Sequence, residues 1–373
     1  MRFGRLLGGR SGHHPDYLLL AVIFLLVIGG LAVLTSASSD LGKIKFNDSY
    51  YYLKHQILYG LLPGLFFFVI AYFVPYRVYR ALALPFLLAN LFLLTLVFTK
   101  LGVTSNGASR WLALGSFTFQ PAELLKLSFV IYLAAWFANT SANRARNVSE
   151  GLVPFLIICA LTTGLLAAQP ATSVVVILMT AALAIYFVSG ARWKHIFVVI
   201  GGGLLVLALL VIATPYRFAR ISSFLAPHGT DAQGAGYHLN QALIALGSGG
   251  IFGVGYGQSP SKATALPEAV DDSIFAVVGQ ELGFIGAGLL LALFGTLTFR
   301  LFWIARDTRD AFGKLILIGF GTIVTFQAVV NVGAISGLLP LTGVPLPFVS
   351  YGGTALAVFL AMAGVSVNVS RYT

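Results

Sequence analysis

"GLVPFLIICALTTGLLAAQPATSVVVILMTAALAIYFVSGA", residues 151–191, contains no charged side chain. A single helix crosses the hydrocarbon core of a bilayer in roughly 20 residues, and this run is about twice that length. It reads as a hairpin of two spans, with the turn at Gln169-Pro170. The rest of the chain agrees: of 373 residues, 58% are apolar and only 9% are charged, whereas soluble domains carry about 25% charged residues. The composition therefore predicts a membrane protein before any motif is considered.

Working outward, further uncharged stretches predict spans near 17–36, 56–74, 81–99, 124–139, 195–214 and 277–299. The run 315–370 is too long for one helix and is interrupted by "LLPLTGVPLPFVSYGG", which supplies two more spans. The expectation is an all-α polytopic membrane protein of about ten helices, forming one domain over 1–373. The basic N-terminus MRFGRLLGGR precedes an apolar run too long for a signal-peptide core and reads as retained. With both termini inside, the inner segments hold 14 of the 23 basic residues and four acids, and the outer segments hold nine basic residues and eight acids. That bias follows the positive-inside rule. Three outer segments are substantial, 37–55, 100–123 and 215–276, and the last is the longest. It is glycine-rich and shows no span pattern, and a loop of that length is usually functional or disordered.

Several function classes lose support. The net charge of +11 comes from dispersed Lys and Arg residues without a basic run, so nucleic acid is not an expected partner. Cys159 stands alone in an apolar stretch and excludes an intrachain disulfide or a thiolate metal cage. His13 and His14 are adjacent, and His55, His195, His228 and His238 are scattered, with no metal-binding spacing. P-loop, GxGxxG and Gly-x-Ser-x-Gly patterns are absent, and "GVGYG" at 253–257 is too short to count.

The acids are the informative residues. Four of twelve, Glu268, Asp271, Asp272 and Glu281, fall within "LPEAVDDSIFAVVGQELG", residues 266–283. Pro267 is expected to open a helix, with the first three acids in its first turns and Asp272 on the same face as Glu268. Capping of free amides accounts for such acids in general, but three within five residues exceed what a cap requires. Crowded carboxylates also raise one another's pKa, which suits a proton acceptor. Glu281 reads as a structural acid paired with another helix. In "GASRWLALGSFTFQPAELLKLS", residues 107–128, Pro121 suits a first helical position, placing Glu123 and Lys126 on one face. They read either as a dipole-and-ion-pair feature or as a pair lining a wet cavity where a span enters lipid. Arg217 and Arg220, three apart, read either as interface anchors or as a bidentate phosphate clamp, with Lys262 and Arg110 available in neighbouring loops. "PLPFVSYGG", 345–353, reads as a re-entrant loop or tight turn.

Four blocks in order resemble the SEDS (shape, elongation, division, sporulation) family of bacterial multipass membrane proteins, of FtsW/RodA type. They are "GASRWLALGSFTFQPAELLKLS", "YHLNQALIALGSGGIFGVGYGQS", "LPEAVDDSIFAVVGQELGFIG" and "GLLPLTGVPLPFVSYGGTA". The second and third blocks look more like the division branch. The resemblance implies a peptidoglycan glycosyltransferase of the bacterial cytoplasmic membrane. It would polymerise lipid II into β-1,4-linked glycan on the outer face, beside a class B penicillin-binding protein. By motif position it implies Asp272 as the catalytic residue. Glu123, Lys126, Arg110, Arg217, Arg220, Lys262, Glu268, Asp271, Gln241 and Ser350 are its supporting or substrate-binding residues. The chain departs from the family pattern at Asp271, where Thr or Asn is common, and at Ser273, Ala122 and Gln280. The extra carboxylate at Asp271 is able to share a proton with its neighbour. The expected chemistry is one carboxylate base taking the proton of a sugar hydroxyl, with cationic neutralisation of a pyrophosphate leaving group. A divalent cation (Mg or Mn) could share that neutralisation. The rival expectations are a lipid II flippase, which would place its polar site nearer mid-membrane, and a non-catalytic scaffold for the penicillin-binding protein.

Overall fold

A computed structural model describes residues 13–105, 108–114, 117–138, 144–225, 235–262 and 266–373. The described chain is dominated by helices: α1 (Tyr17–Phe46), α2 (Tyr51–Phe73), α3 (Arg77–Leu96), α4 (Pro121–Phe137), α5 (Val148–Ala168) and α6 (Thr172–Val188). These are followed by α7 (Trp193–Ile212), α8 (Pro215–Leu225), α9 (Ala235–Ser248), α10 (Ile274–Asp307), α11 (Ala311–Ile335) and α12 (Gly353–Ser370). Between α3 and α4 lies a small antiparallel sheet, β1 (Gly102–Ser105), β2 (Ala108–Leu114) and β3 (Phe117–Phe119), in the order β1-β2-β3.

Eight of the described helices are long and apolar enough to cross a membrane: α1, α2, α3, α5, α7, α10, α11 and α12. Two 17-residue helices, α4 and α6, pack among them, giving the ten-helix polytopic bundle expected from the sequence. Hydrophobicity alone does not decide which helix lies at the centre, because lipid is as apolar as leucine. Close approach decides it. The Gly- and Ala-rich α12 is 83% buried over its most apolar window, whereas the bulkier α7 is only 11% buried. Along the α2–α12 seam, Gly64 and Gly364 let the two backbones touch, since an added Cβ would collide with Leu360 or the Phe68 carbonyl.

The helix ends follow ordinary capping chemistry. Asp16 accepts from the Leu19 N–H at 2.8 Å at the start of α1, and Asp310 accepts from Gly313 N–H at 3.0 Å at the start of α11. Asp16 also holds Arg300 of α10 through two contacts of 2.5 and 2.7 Å, and its N–H meets Ser370 at the end of α12. Three helices are thereby tied at the end of the bundle that carries the chain termini. The start of α10, with the acidic loop before it, lies at the opposite end.

Three expectations need correction. The helix does not begin at Pro267. Residues 267–273 form successive turns, and α10 starts only at Ile274. Glu268 adopts φ +49°, in the left-handed region that side chains other than Gly, Asn and Asp rarely occupy, and its carbonyl accepts from the N–H groups of both Asp271 and Ser273. The segment 37–55 is mostly a continuation of α1 and the start of α2 rather than a loop. The segment 215–276 contains two helices, α8 and α9. The basic residues Arg2, Arg5 and Arg10 lie outside the described residues. The hairpin turn at Gln169-Pro170 and the break of 315–370 into α11 and α12 both fall where the sequence placed them.

The helix α10 is broken at Gly283, where φ is +66° and ψ −165°. The segment after α9 runs into this break: Val254 and Gly255 donate to the carbonyls of Gln280 and Glu281, and Phe284 and Ile285 donate to those of Gly250 and Ile251. A backbone interruption in lipid is tolerated only where its polar groups find partners, and this loop supplies them. A Cβ at position 283 would overlap the Gly253 nitrogen and the Ile251 carbonyl, so both the conformation and the space require glycine.

Candidate functional site

Two irregular segments, the acidic turn 266–273 and the re-entrant loop 336–352, meet beside the start of α10. Backbone and buried polar side chains clamp them together. Asn331 of α11 donates through Nδ2 to the carbonyls of Asp272 and Val344, each at 2.7 Å. Ser350 donates to the Asp271 carbonyl at 2.5 Å and accepts from Leu346 N–H at 2.8 Å. Tyr351 N–H donates to the Val270 carbonyl at 2.9 Å. Ser173 of α6 fixes the loop from another side by donating to the Thr342 carbonyl at 2.7 Å. A segment without regular secondary structure must satisfy its backbone groups individually, and these bonds do so while holding the carboxylates still.

Asp272 is largely buried, with its side chain 14% exposed, and its Oδ1 is a buried oxygen with no hydrogen-bond partner. His238 Nε2, from α9, stands 3.9 Å from that oxygen and lies 2.6 Å from the Ser273 hydroxyl. On the other side stands Arg220 of α8, which donates to the Leu341 carbonyl at 3.1 Å. Gly343, at φ +65°, sits between the two charges: a Cβ there would lie 3.6 Å from the Arg220 guanidinium and 3.7 Å from Asp272 Oδ2. Any larger side chain would enter the gap between acid and cation.

The electrostatics follow from this packing. Burial, then the Glu268 charge, pushes the Asp272 carboxyl up to about 7, with Arg220 and two backbone N–H groups pulling the other way. Asp271 is also raised well above 3.8, by burial, by Glu268 and by Asp272, with Lys45 opposing. His238 is pushed down by burial and by Arg220, against the pull of Glu268, so near pH 7 it is a neutral imidazole rather than a salt-bridge partner. The site therefore places a carboxyl that gains and loses its proton near neutral pH beside a fixed cation. Such matched pairs are what proton-transfer sites require.

The remaining candidates separate into distinct neighbourhoods. Glu123 and Lys126 form a closed, buried ion pair at 2.8 Å, and Lys126 Nζ also donates to Gln327 Oε1 at 2.9 Å. Gln327 in turn donates to the Pro345 carbonyl at 2.8 Å. This pair thus supports the re-entrant loop from behind, and its ammonium faces the Phe359 ring at 5.3 Å. Lys262 lies with Glu281 at 3.3 Å, beside Ser36 of α1, which donates to the same carboxylate at 2.6 Å. Glu281 is thus the helix-pairing acid that the sequence suggested. Arg217 turns back onto the end of α7, donating to the Leu210 carbonyl and Thr214, so the two arginines of the expected clamp diverge and only Arg220 reaches Asp272. Arg110 of β2 donates to the carbonyls of Gln169 and Pro170 at the α5–α6 turn. Gln241 lies on α9 one turn beyond His238 and is partly buried. Glu268 is exposed.

Sequence reasoning passed over His238, Asn331 and Gly343. His238 stands in the quoted block "YHLNQ", three residues before Gln241, a helical spacing that puts both on one face. Gly343 lies in the block 337–355 without being singled out there, and nothing local marks Asn331, because their partners lie in another segment.

A polytopic helical membrane protein with a carboxylate-bearing re-entrant site at one end of the bundle is the class that this fold and site define. Residues 16–373 match the family model of FtsW, RodA and SpoVE, described as cell cycle proteins. The stage V sporulation protein E of Bacillus subtilis is 37% identical over 96% of this chain and 98% of its own length. A probable peptidoglycan glycosyltransferase FtsW of Thioalkalivibrio sulfidiphilus is 39% identical over 95% of this chain and 89% of its own. The rod shape determining protein RodA of Thermus thermophilus superposes with a TM-score of 0.69 at 29% identity, over 96% of this chain and 97% of that one. A chain from a structure described as the structural coordination of polymerization and crosslinking by a peptidoglycan synthase complex superposes with a TM-score of 0.79 at 30% identity, covering 96% and 99%. This chain belongs to the FtsW/RodA/SpoVE family.

Proposed function

We propose that the protein is a peptidoglycan glycosyltransferase that polymerises lipid II, with Asp272 as its general base. The reading is supported by its relatives' names and above all by one observation: a buried Asp272 oxygen with no partner, on a carboxyl held near neutral pKa beside Arg220. The Asp272 carboxylate takes the proton of the acceptor's 4-hydroxyl as that oxygen bonds to the donor's anomeric carbon. The bond from that carbon to pyrophosphate breaks, inverting the centre and giving a β-1,4 link. The departing lipid pyrophosphate carries away the electron pair, and Arg220 offsets its charge. His238, neutral and hydrogen-bonded to Ser273, flanks the carboxyl at 3.9 Å. Among the described residues no group of three or more His, Cys, Asp or Glu side chains is placed to hold a metal ion; a divalent cation carried by the pyrophosphate itself would add to the neutralisation that Arg220 supplies.

The active end faces outward, in keeping with the lysine and arginine bias. A class B penicillin-binding protein is the partner, as the synthase-complex relative suggests. The decisive experiment incubates purified protein with purified lipid II and resolves the products by gel. Wild type is expected to make polymer, Asp271→Ala to make less, and Asp272→Ala to make none. Undiminished polymer from Asp272→Ala removes this mechanism, and movement of labelled lipid between leaflets without polymer favours the flippase.

A further inference from the structure

Asp271 and Asp272 are consecutive, yet their surroundings differ. The Arg220 guanidinium lies with Asp272, whereas Asp271 has the Lys45 ammonium and an aromatic cluster within electrostatic reach. Phe46 at the end of α1 stacks face to face on Tyr51 of α2, with ring centroids 3.7 Å apart and planes within 10°. Tyr52 meets both, edge-on to Tyr51 at 5.6 Å. Tyr52 also meets Tyr351 of the re-entrant loop edge-on at 5.1 Å, and the Tyr351 hydroxyl lies 2.8 Å from His55 Nδ1. The rings come from three separate segments. Tyr351 follows Ser350, the residue bonded to the Asp271 carbonyl. The carboxylates of Asp271 and Glu268 lie within electrostatic reach of the Tyr52 hydroxyl, and Glu268 is exposed.

Aromatic residues at a membrane boundary ordinarily act as anchors for the headgroup region, each with its polar tip in water. This cluster differs in being interlocked edge to face and in having its Tyr351 hydroxyl held by His55. It is also bonded through the backbone to the acidic turn. A pre-set aromatic surface with adjacent carboxylates suits one ligand class. A pyranose ring offers an apolar C–H face for stacking and hydroxyl edges that donate to carboxylates. Sites for small ligands combine apolar and aromatic walls with a few placed polar groups in this way.

We propose that Phe46, Tyr51, Tyr52 and Tyr351, with the carboxylates of Glu268 and Asp271 at their edge, form a subsite for N-acetylated sugar rings of the glycan. The subsite lies on the Asp271 side of the acidic turn, away from the Arg220 that would receive pyrophosphate. This inference rests on the glycosyltransferase reading and refines it by separating the saccharide and leaving-group halves of the site. Stacking then orients the acceptor hydroxyl toward the base, the positioning contribution that catalysis requires.

The probe is the tetramer of N-acetylglucosamine, added to the full chain in lipid nanodiscs. In wild type it is expected to slow nitration of Tyr51 by tetranitromethane several-fold while leaving Tyr17, which is 65% exposed at the other end of the bundle, unaffected. Tyr51→Leu and Tyr52→Leu are expected to weaken tetramer binding by about tenfold each, and Tyr51→Phe to keep most of the affinity. Equal nitration of Tyr51 with and without sugar overturns the proposal, as does wild-type affinity in the leucine variants. If the leucine variants do not fold, the wild-type protection experiment decides alone. Polymerisation without Tyr51 protection sinks the subsite but spares the function. Tyr51 protection in a chain that makes no polymer from lipid II sinks the glycosyltransferase reading but leaves a carbohydrate site.

Discussion

Replacing Asp272 by Asn is expected to make the protein inactive and, above pH 7, more stable. The native environment raises this carboxyl from 3.8 to about 7. The folded protein therefore binds the proton more tightly than the unfolded chain does. Below pH 3.8 both states are protonated and nothing is lost. Between pH 3.8 and about 7 the unfolded chain has released its proton while the folded one retains it, so stability falls as pH rises. Above about 7 the full cost is present. Roughly three pKa units at about 1.36 kcal/mol each set a ceiling of about 4 kcal/mol. Asn keeps the shape and forfeits no bond at Oδ1, which has no partner. The assay is thermal unfolding in nanodiscs at pH 4 and pH 8. The variant and wild type should melt together at pH 4, and the variant should melt several degrees higher at pH 8. A variant less stable than wild type at pH 8 refutes the argument, because it would mean that the ionised carboxylate makes net favourable contacts in the fold.

Four further outcomes are expected. Turnover should rise with pH as Asp272 ionises, falling at pH 6 to about a tenth of its plateau. Glu268→Gln, which removes the largest neighbouring charge that raises this carboxyl, should move that limb to lower pH, and a shift the other way would contradict the geometry. Lys126→Met leaves the Glu123 carboxylate buried without its cation and should cost about 3–5 kcal/mol; the double variant with Glu123→Gln should recover much of it, as read by melting temperature. Gly283→Ala forces a left-handed backbone and a collision with the segment after α9, so its folded yield in size-exclusion chromatography should collapse, and a normal yield would show that the break in α10 is dispensable.

The candidate site residues were legible to different degrees. Asp272 was singled out as the candidate base by its place in a motif block, and Glu281 as a helix-pairing acid by its depth in an apolar span. The turn that holds Asp272 was not: Pro267 and three acids look like a helix start, but the Glu268 carbonyl captures two N–H groups and delays the helix to Ile274. Arg217 and Arg220 share a spacing that suggests a clamp, yet one caps the end of α7 and the other crosses to the re-entrant loop. Local sequence cannot distinguish them, because the preference of each is set by carbonyls left open elsewhere in the fold.

By itself, the sequence determined that this chain lives in a bilayer as a bundle of about ten helices, because uncharged runs of that length have no other way to satisfy their backbone. It also determined where the bundle turns and where the scarce acids lie along the chain. Only the tertiary structure decided that Arg220 stands beside Asp272, that α12 is central and α7 peripheral, and that His238 and Gly343 border the candidate site. Hydrophobic length is a property of a segment, whereas a carboxylate's pKa and partners depend on what distant segments place within a few ångströms of it.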